Sequence, residues 1–423
     1  MRPRTLLYVV FFAALFGFLF AAFSTYDFVA HLDRQVHGIH CSFLPGLQNE
    51  DASASSGCHV TLMSPYSSVF RRWLWGGIPV SLPAMGLFAF LAYWAINLLW
   101  TRRELDPNAT GFLAAVATVP FLTSIVMAYL ALVELDAVCK LCIGIYTTST
   151  LAFVAALMVW RGARRPREPE RTARGDVHRE GATPSTYVLR PTPMDRGGVW
   201  TAAFLGGAFI ALPLVAYAAS APDFSRYVGA CGQLAKPENA EDALIPIGPQ
   251  SGGHEAVEVL DPLCSACKAF EKRLQASGMA TELKRKALLF PLDNECNWMV
   301  GSAVHPGACA LSEAVLCAGA GAEAVLGWAF ENQESILQTT KTDPKAAARL
   351  VLERFPELKA CVGKPAVRAR LNRALRWAVA NELPVVTPQL FVGNKKVCDE
   401  DTDLGMDFVL SRLLRQGGAG PQR

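Results

Sequence analysis

Five stretches of the chain are apolar almost without a break, and each approaches the roughly 20 residues that cross a bilayer as a helix. The first runs from Leu6 to Ala22 and continues through Phe23, Tyr26, Phe28 and Val29. A cleaved leader has an apolar core of only about 7–15 residues, so a retained first helix is favoured. The others are Ile78–Trp100, Phe112–Val133, Leu141–Trp160 and Val199–Ala219. Between the first two lies a polar stretch from His31 to Gly77. Its His59–Phe70 part, with Trp73 and Trp75, reads as a short element at the membrane surface, where aromatic residues are common.

From Ser220 onward the pattern is that of a soluble domain. His254–Asp261 reads as a strand, Lys268–Leu274 as a helix and Lys286–Phe290 as a second strand. Helical segments fill about Leu311 to Ala380, and Val385–Val397 closes as strand, turn and strand. The expected organisation is a transmembrane domain over 1–162, a basic, Pro-rich linker over 163–197, a fifth transmembrane helix over 198–220 and a soluble domain over 221–423.

Charge orients the membrane part. Arginines cluster in three places: Arg2 and Arg4, then Arg102 and Arg103, then Arg161 through Arg196. Five helices put all three on the cytoplasmic side, as the positive-inside rule requires. The Cys41/Cys58 loop, the 134–140 turn and everything after Ser220 then fall on the opposite side. The net charge of +3 over 423 residues gives no reason to expect a nucleic-acid partner.

Twelve cysteines, two pairs of them spaced Cys-x-x-Cys, point to thiol–disulfide chemistry in an oxidising compartment. Cys139 and Cys142 sit where the fourth apolar run opens. Cys264 and Cys267 follow a strand and open a helix, where the positive end of the helix dipole stabilises a thiolate. Cys264 is the attacking sulfur in this reading and Cys267 the resolving one. A structural zinc site would want a second ligand pair in the same domain, so no metal is expected. Cys231, Cys296, Cys309, Cys317, Cys361 and Cys398 remain for structural disulfides. Six cysteines allow 15 pairings, and proximity alone favours Cys296–Cys309. His305 reads as a solvated or packed histidine.

The strand–CxxC–helix order, with Thr387-Pro388 before a later strand, resembles the thioredoxin-like family. The long helical insertion makes it more similar to DsbA than to thioredoxin. The resemblance makes Thr387 and Pro388 the residues that hold a client peptide. Residues 1–162 resemble the vitamin K epoxide reductase family: four helices, a loop cysteine pair before the second, and Cys-x-x-Cys at the start of the fourth. That resemblance makes Cys41 and Cys58 the loop pair and Cys139 and Cys142 the active-site pair. It places Ser64 and Tyr146 at the pocket of a quinone, either ubiquinone or menaquinone. Bacterial members are often fused to a thioredoxin-like domain. The Cys41–Cys58 separation is wider than usual for the family, and Trp75-Gly76-Gly77-Ile78-Pro79 has no counterpart of the vertebrate epoxide-binding asparagine.

The fold class expected is therefore an all-α four-helix membrane bundle plus one extra transmembrane helix, then a soluble α/β thioredoxin-like fold with a helical insertion. The function expected is disulfide formation in exported proteins from the bacterial inner membrane, with the soluble domain on the periplasmic side. Electrons pass from client to Cys264/Cys267, to Cys41/Cys58, to Cys139/Cys142 and to quinone. Cys139 is expected to be the more exposed of its pair and to exchange with the loop, and Cys142 to deliver electrons. A reductant exporter would need thiols reachable from the cytoplasm, and this topology offers none. A membrane-anchored thiol chaperone or metal-binding module is the non-enzymatic alternative.

Overall fold

A computed structural model describes residues 2–34, 57–135, 137–165, 193–238 and 243–418, without the side chains of 57–59 and 417–418. The chain divides into two compact units. The first comprises Met1–Val69 and Ile78–Ala221, and the second Phe70–Gly77 and Pro222–Arg423.

The first unit is helical. Its long helices are α1 (Pro3–Ala30), α3 (Ser81–Trp100), α4 (Pro107–Tyr129), α5 (Lys140–Arg164) and α6 (Arg196–Ser220). The short helix α2 (Gly57–Leu62) lies between α1 and α3. All five long helices are long and apolar enough to span a membrane, and each of the five apolar runs lies within or against one of them. The N-terminal ends of α1, α4, α5 and α6 extend past the apolar runs, whereas α3 begins three residues inside its run. Pro3 opens α1 at a position where its missing N–H is not needed. Asp106 caps α4 by accepting from the N–H groups of Asn108 and Ala109. Its second oxygen accepts from Met194 N, 2.6 Å away, just before α6. A single π-turn, Leu130–Glu134, follows α4.

Between membrane helices close packing and hydrogen bonds replace the hydrophobic drive. A Cβ on Gly144 of α5 would come within 2.8 Å of the Phe20 ring on α1, and one on Gly17 within 2.6 Å of Phe88 on α3. Ser124 and Ser149 share a hydrogen bond of 2.9 Å between α4 and α5, and the Thr25 hydroxyl donates to Ser81 Oγ between α1 and α3. Phe121 and Phe153 stack with ring centroids 4.5 Å apart. Two short strands, β1 (Ser68–Val69) and β2 (Ile78–Pro79), pair antiparallel beside this bundle.

The second unit holds a five-stranded mixed sheet in the order β3-β5-β4-β6-β7. The strands are β3 (Ile245–Pro246), β4 (His254–Leu260), β5 (Leu283–Leu289), β6 (Gln389–Val392) and β7 (Lys395–Lys396). Central β4 runs parallel to β5 and antiparallel to β6. Helix α7 (Ser265–Ala276) follows β4 and buries Cys267, Phe270 and Leu274. Their spacing of three and four places them on one helix face, turned to the core. Helices α8 (Ala308–Ala318), α9 (Ala322–Glu331), α10 (Gln333–Thr342), α11 (Ala346–Arg354) and α12 (Pro365–Ala380) form the insertion before β6, and α13 (Met406–Gly418) closes the unit. The fold is thioredoxin-like with a helical insertion. Ala308–Glu331 is also apolar and long enough to span a membrane, but Gly319–Gly321 breaks it into α8 and α9, whose residues pack in this unit's core.

Three disulfides staple the second unit: Cys231–Cys398, Cys296–Cys309 and Cys317–Cys361. The favoured Cys296–Cys309 bridge is present. Trp75 departs from the sequence expectation of an interfacial aromatic. It is buried against the edges of Phe224 and Phe408, because Phe70–Gly77 forms part of the second unit. Trp73 is exposed.

Candidate functional site

Each unit presents one Cys-x-x-Cys pair, built on the same local device. In the first unit Cys139 is the N-cap residue of α5, and its Sγ accepts from the N–H of Cys142 at 3.4 Å. The free N–H groups and positive dipole end of a helix favour a thiolate there. The Cys139 thiol is accordingly held below its ordinary value, chiefly by its hydrogen bond with Cys142. The expectation that Cys139 is the more exposed partner is not met. Cys139 is buried and Cys142 is half-buried, because the capping geometry folds Cys139 back over the first turn, among Leu141, Phe20 and Phe23.

A cavity of about 670 Å3, its open mouth included, reaches both thiols. Ser64 and Tyr146, singled out from the sequence, line it together with Cys139 and Cys142. Tyr146 lies one helical turn beyond Cys142, on the same face of α5. Ser64 is buried and its hydroxyl donates to Thr61 O at 2.8 Å, so that Oγ keeps its lone pairs as an acceptor. The remaining walls are largely apolar, with Phe28, Val80, Met127 and Leu130 among them. An apolar chamber with a few convergent polar groups is the usual form of a small-molecule site.

Asp27 also lines this cavity and is almost fully buried. The sequence reading passed over it, although an acidic residue inside an apolar span is by default functional. Cys41 lies outside the described residues, as does the side chain of Cys58, whose backbone falls in α2.

In the second unit Cys264 is the N-cap residue of α7, and Cys267 lies one turn in. Cys264 Sγ lies 3.6 Å from Thr387 O, and the Thr387–Pro388 peptide is cis. Hydrogen bonding from Cys267, helped by Thr387, lowers Cys264 to about 6, while burial pushes Cys267 well above its ordinary value. One reactive and one protected sulfur is the asymmetry thiol exchange needs.

Three further buried polar groups of this unit have no counterpart among the site residues expected from the sequence. Glu258, six positions before Cys264, is wholly buried; burial and nearby Glu271 push its carboxyl up to about 8 against the pull of Arg285. Asp261 is also wholly buried and accepts from Leu263 N and Leu292 N, both at 2.7 Å. Gln333 of α10 donates from Nε2 to Cys264 O and Pro262 O. A charged residue within a strand was the available signal for Glu258. Nothing local marks Gln333.

Cys231, Cys398 and Glu400 bring ligand atoms within 4.8 Å of one another. The two sulfurs are joined in a disulfide, which leaves no thiolate there for a metal.

Residues 8–157 match the model of the vitamin K epoxide reductase family. No curated protein matches the chain at a significant level. Among solved structures, ScsC of Proteus mirabilis in a transitional conformation is 15% identical, covering 51% of this chain and 96% of that one, with a TM-score of 0.31. A linker-deletion mutant of the same protein is 16% identical, covering 52% of this chain and 90% of that one, with a TM-score of 0.29. The chain thus has the features of a multi-pass membrane thiol oxidoreductase: residues 8–157 are similar to the vitamin K epoxide reductase family, and a thioredoxin-like domain follows.

Proposed function

We propose that the protein forms disulfides in exported proteins and hands the electrons to a quinone. The carrying observation is the cavity that holds Cys139, Cys142, Ser64 and Tyr146 between apolar walls. In the proposed sequence a client thiolate attacks Cys264 Sγ and breaks its bond to Cys267. A second client thiolate resolves the mixed disulfide, leaving the client oxidised and Cys264/Cys267 as a dithiol. That dithiol reduces the Cys41–Cys58 disulfide, which as a dithiol reduces Cys139–Cys142. Re-forming the Cys139–Cys142 disulfide releases two electrons and two protons, the amount that turns a quinone into a quinol. Tyr146 is placed to donate a hydrogen bond to a quinone oxygen, and Ser64 does so once its hydroxyl turns from Thr61 O.

Sidedness is part of the proposal. Arginines at the N-terminus, in the 101–110 turn and in the 161–196 stretch lie on the cytoplasmic face, and the thioredoxin-like domain lies on the opposite face. The domain limits proposed are 1–162, 163–197, 198–220 and 221–423. Thr387 and Pro388 hold the client.

The test is quinone reduction by purified full-length protein supplied with a reduced, cysteine-bearing client. Wild type should consume oxidised quinone, and Cys142→Ser should stop. Quinone reduction that persists in Cys142→Ser would overturn the mechanism, and a wild-type protein that reduces no quinone would favour a thiol chaperone.

A further inference from the structure

By sequence His305 is a solvated or packed histidine, and the structure gives it a more specific position. Its Nδ1 lies 2.8 Å from Oδ2 of Asp261, the wholly buried carboxylate three residues before Cys264. The carbonyl of Asp261 accepts from Cys264 N at 3.1 Å, so one residue holds both the active-site turn and the imidazole. The loop that carries His305 is fixed independently. Cys296–Cys309 closes it, Asp293 Oδ2 accepts from Gly307 N at 2.8 Å, and Leu292 O accepts from the N–H groups of Val304 and His305. Leu292 N in turn donates to the same Asp261 oxygen as the ring. A side chain held this firmly at the foot of the active-site turn is more than surface packing requires.

We propose that His305 is a positioning residue for thiol exchange: it supplies the positive charge that stabilises the Cys264 thiolate, a task the intervening Ser265-Ala266 of the motif have no charge to perform. The inference rests on Cys264–Cys267 being the exchanging pair. With Nδ1 engaged by Asp261, Nε2 is the nitrogen left to gain or lose the proton. Burial opposes the imidazolium, while the hydrogen bond to Asp261 and the charges of Asp261, Cys264 and Asp293 favour it. The balance raises His305 above its ordinary value. In the exchange, two client thiols become a client disulfide and the Cys264–Cys267 bond is broken. Two protons and two electrons arrive with the client. One proton goes to the Cys267 sulfur and the other to His305, while Cys264 stays a thiolate.

The test is peptide-resolved iodoacetamide labelling of Cys264 in the reduced full-length protein across pH 4 to 10, with the glutathione equilibrium of the pair measured alongside. Wild type should show two inflections, one for Cys264 and one for His305. His305→Ala should lose the second, raise the Cys264 inflection by about one pH unit, and shift the glutathione equilibrium about tenfold toward the disulfide. His305→Gln keeps a hydrogen-bond donor for Asp261 without the charge, and should behave as His305→Ala does. A single wild-type inflection, or a His305→Gln profile that matches wild type, overturns the proposal. If His305→Ala does not fold, His305→Gln and the wild-type profile decide alone. The labelling needs neither client nor quinone. Shifted profiles without quinone reduction would therefore sink only the proposed function, and client-driven quinone reduction with unshifted profiles would sink only this inference.

Discussion

Gln333 Nε2 donates to the carbonyl of Cys264 at 2.9 Å, across 69 positions of sequence. The same amide reaches Pro262 O, so a single side chain from the helical insertion satisfies two buried carbonyls of the Cys264 turn. Such carbonyls cost about 1–3 kcal/mol each when left without a partner. Gln333→Leu should therefore lower the thermal midpoint of the second unit, by about 4–8 °C for a loss near 2 kcal/mol. Scanning fluorimetry of the full-length protein checks this, and an unchanged midpoint would mean the turn holds its shape without the insertion.

The depressed Cys264 value has a signed consequence. A group whose folded value lies below its unfolded one stabilises the fold above the unfolded value and loses that contribution as pH falls through the folded one. The reduced protein should therefore lose stability relative to the oxidised protein as pH falls from about 9 through about 6. Thermal scans of the two redox forms at several pH values should show the midpoint of the reduced form falling relative to that of the oxidised form toward acid. A gap that does not vary with pH would contradict the thiolate assignment.

Tyr146→Phe and Ser64→Ala should affect quinone turnover unequally. A hydrogen bond lost at the cavity is worth about 0.5–1.5 kcal/mol, or roughly twofold to tenfold. Tyr146→Phe should raise the quinone KM by that factor. Ser64→Ala should have the smaller effect, because the Ser64 hydroxyl already donates to Thr61 O. Steady-state kinetics with a soluble quinone separates the two, and equal effects would show that Ser64 turns fully toward the ligand.

Gly144 tests the packing of α5 on α1. A Cβ there meets the Phe20 ring at 2.8 Å, closer than van der Waals contact. Gly144→Val should destabilise the bundle by about 1–3 kcal/mol through overpacking. A Gly144→Val, Phe20→Ala double variant should recover part of the loss in detergent thermal stability. No recovery would place the strain elsewhere.

Much of this protein is written locally. The five apolar runs, the arginine clusters, and both Cys-x-x-Cys pairs at helix starts depend on residues within a few positions of one another, and periodicity and spacing report such features directly. The Cys296–Cys309 bridge spans only 13 positions, and proximity was enough to suggest it. Cys231–Cys398 spans 167 and Cys317–Cys361 spans 44, and no local signal selects them from the alternatives. Four further features were settled only by the tertiary structure: Asp27 in the wall of the Cys139/Cys142 cavity, His305 on Asp261, Gln333 on the Cys264 turn, and the burial of Cys139 at the cap of α5. Each joins groups whose meeting depends on how separate elements pack, or on a side-chain direction that spacing does not encode. The sequence by itself determined where the two Cys-x-x-Cys pairs stand, and the packing of distant elements decided which residues surround them.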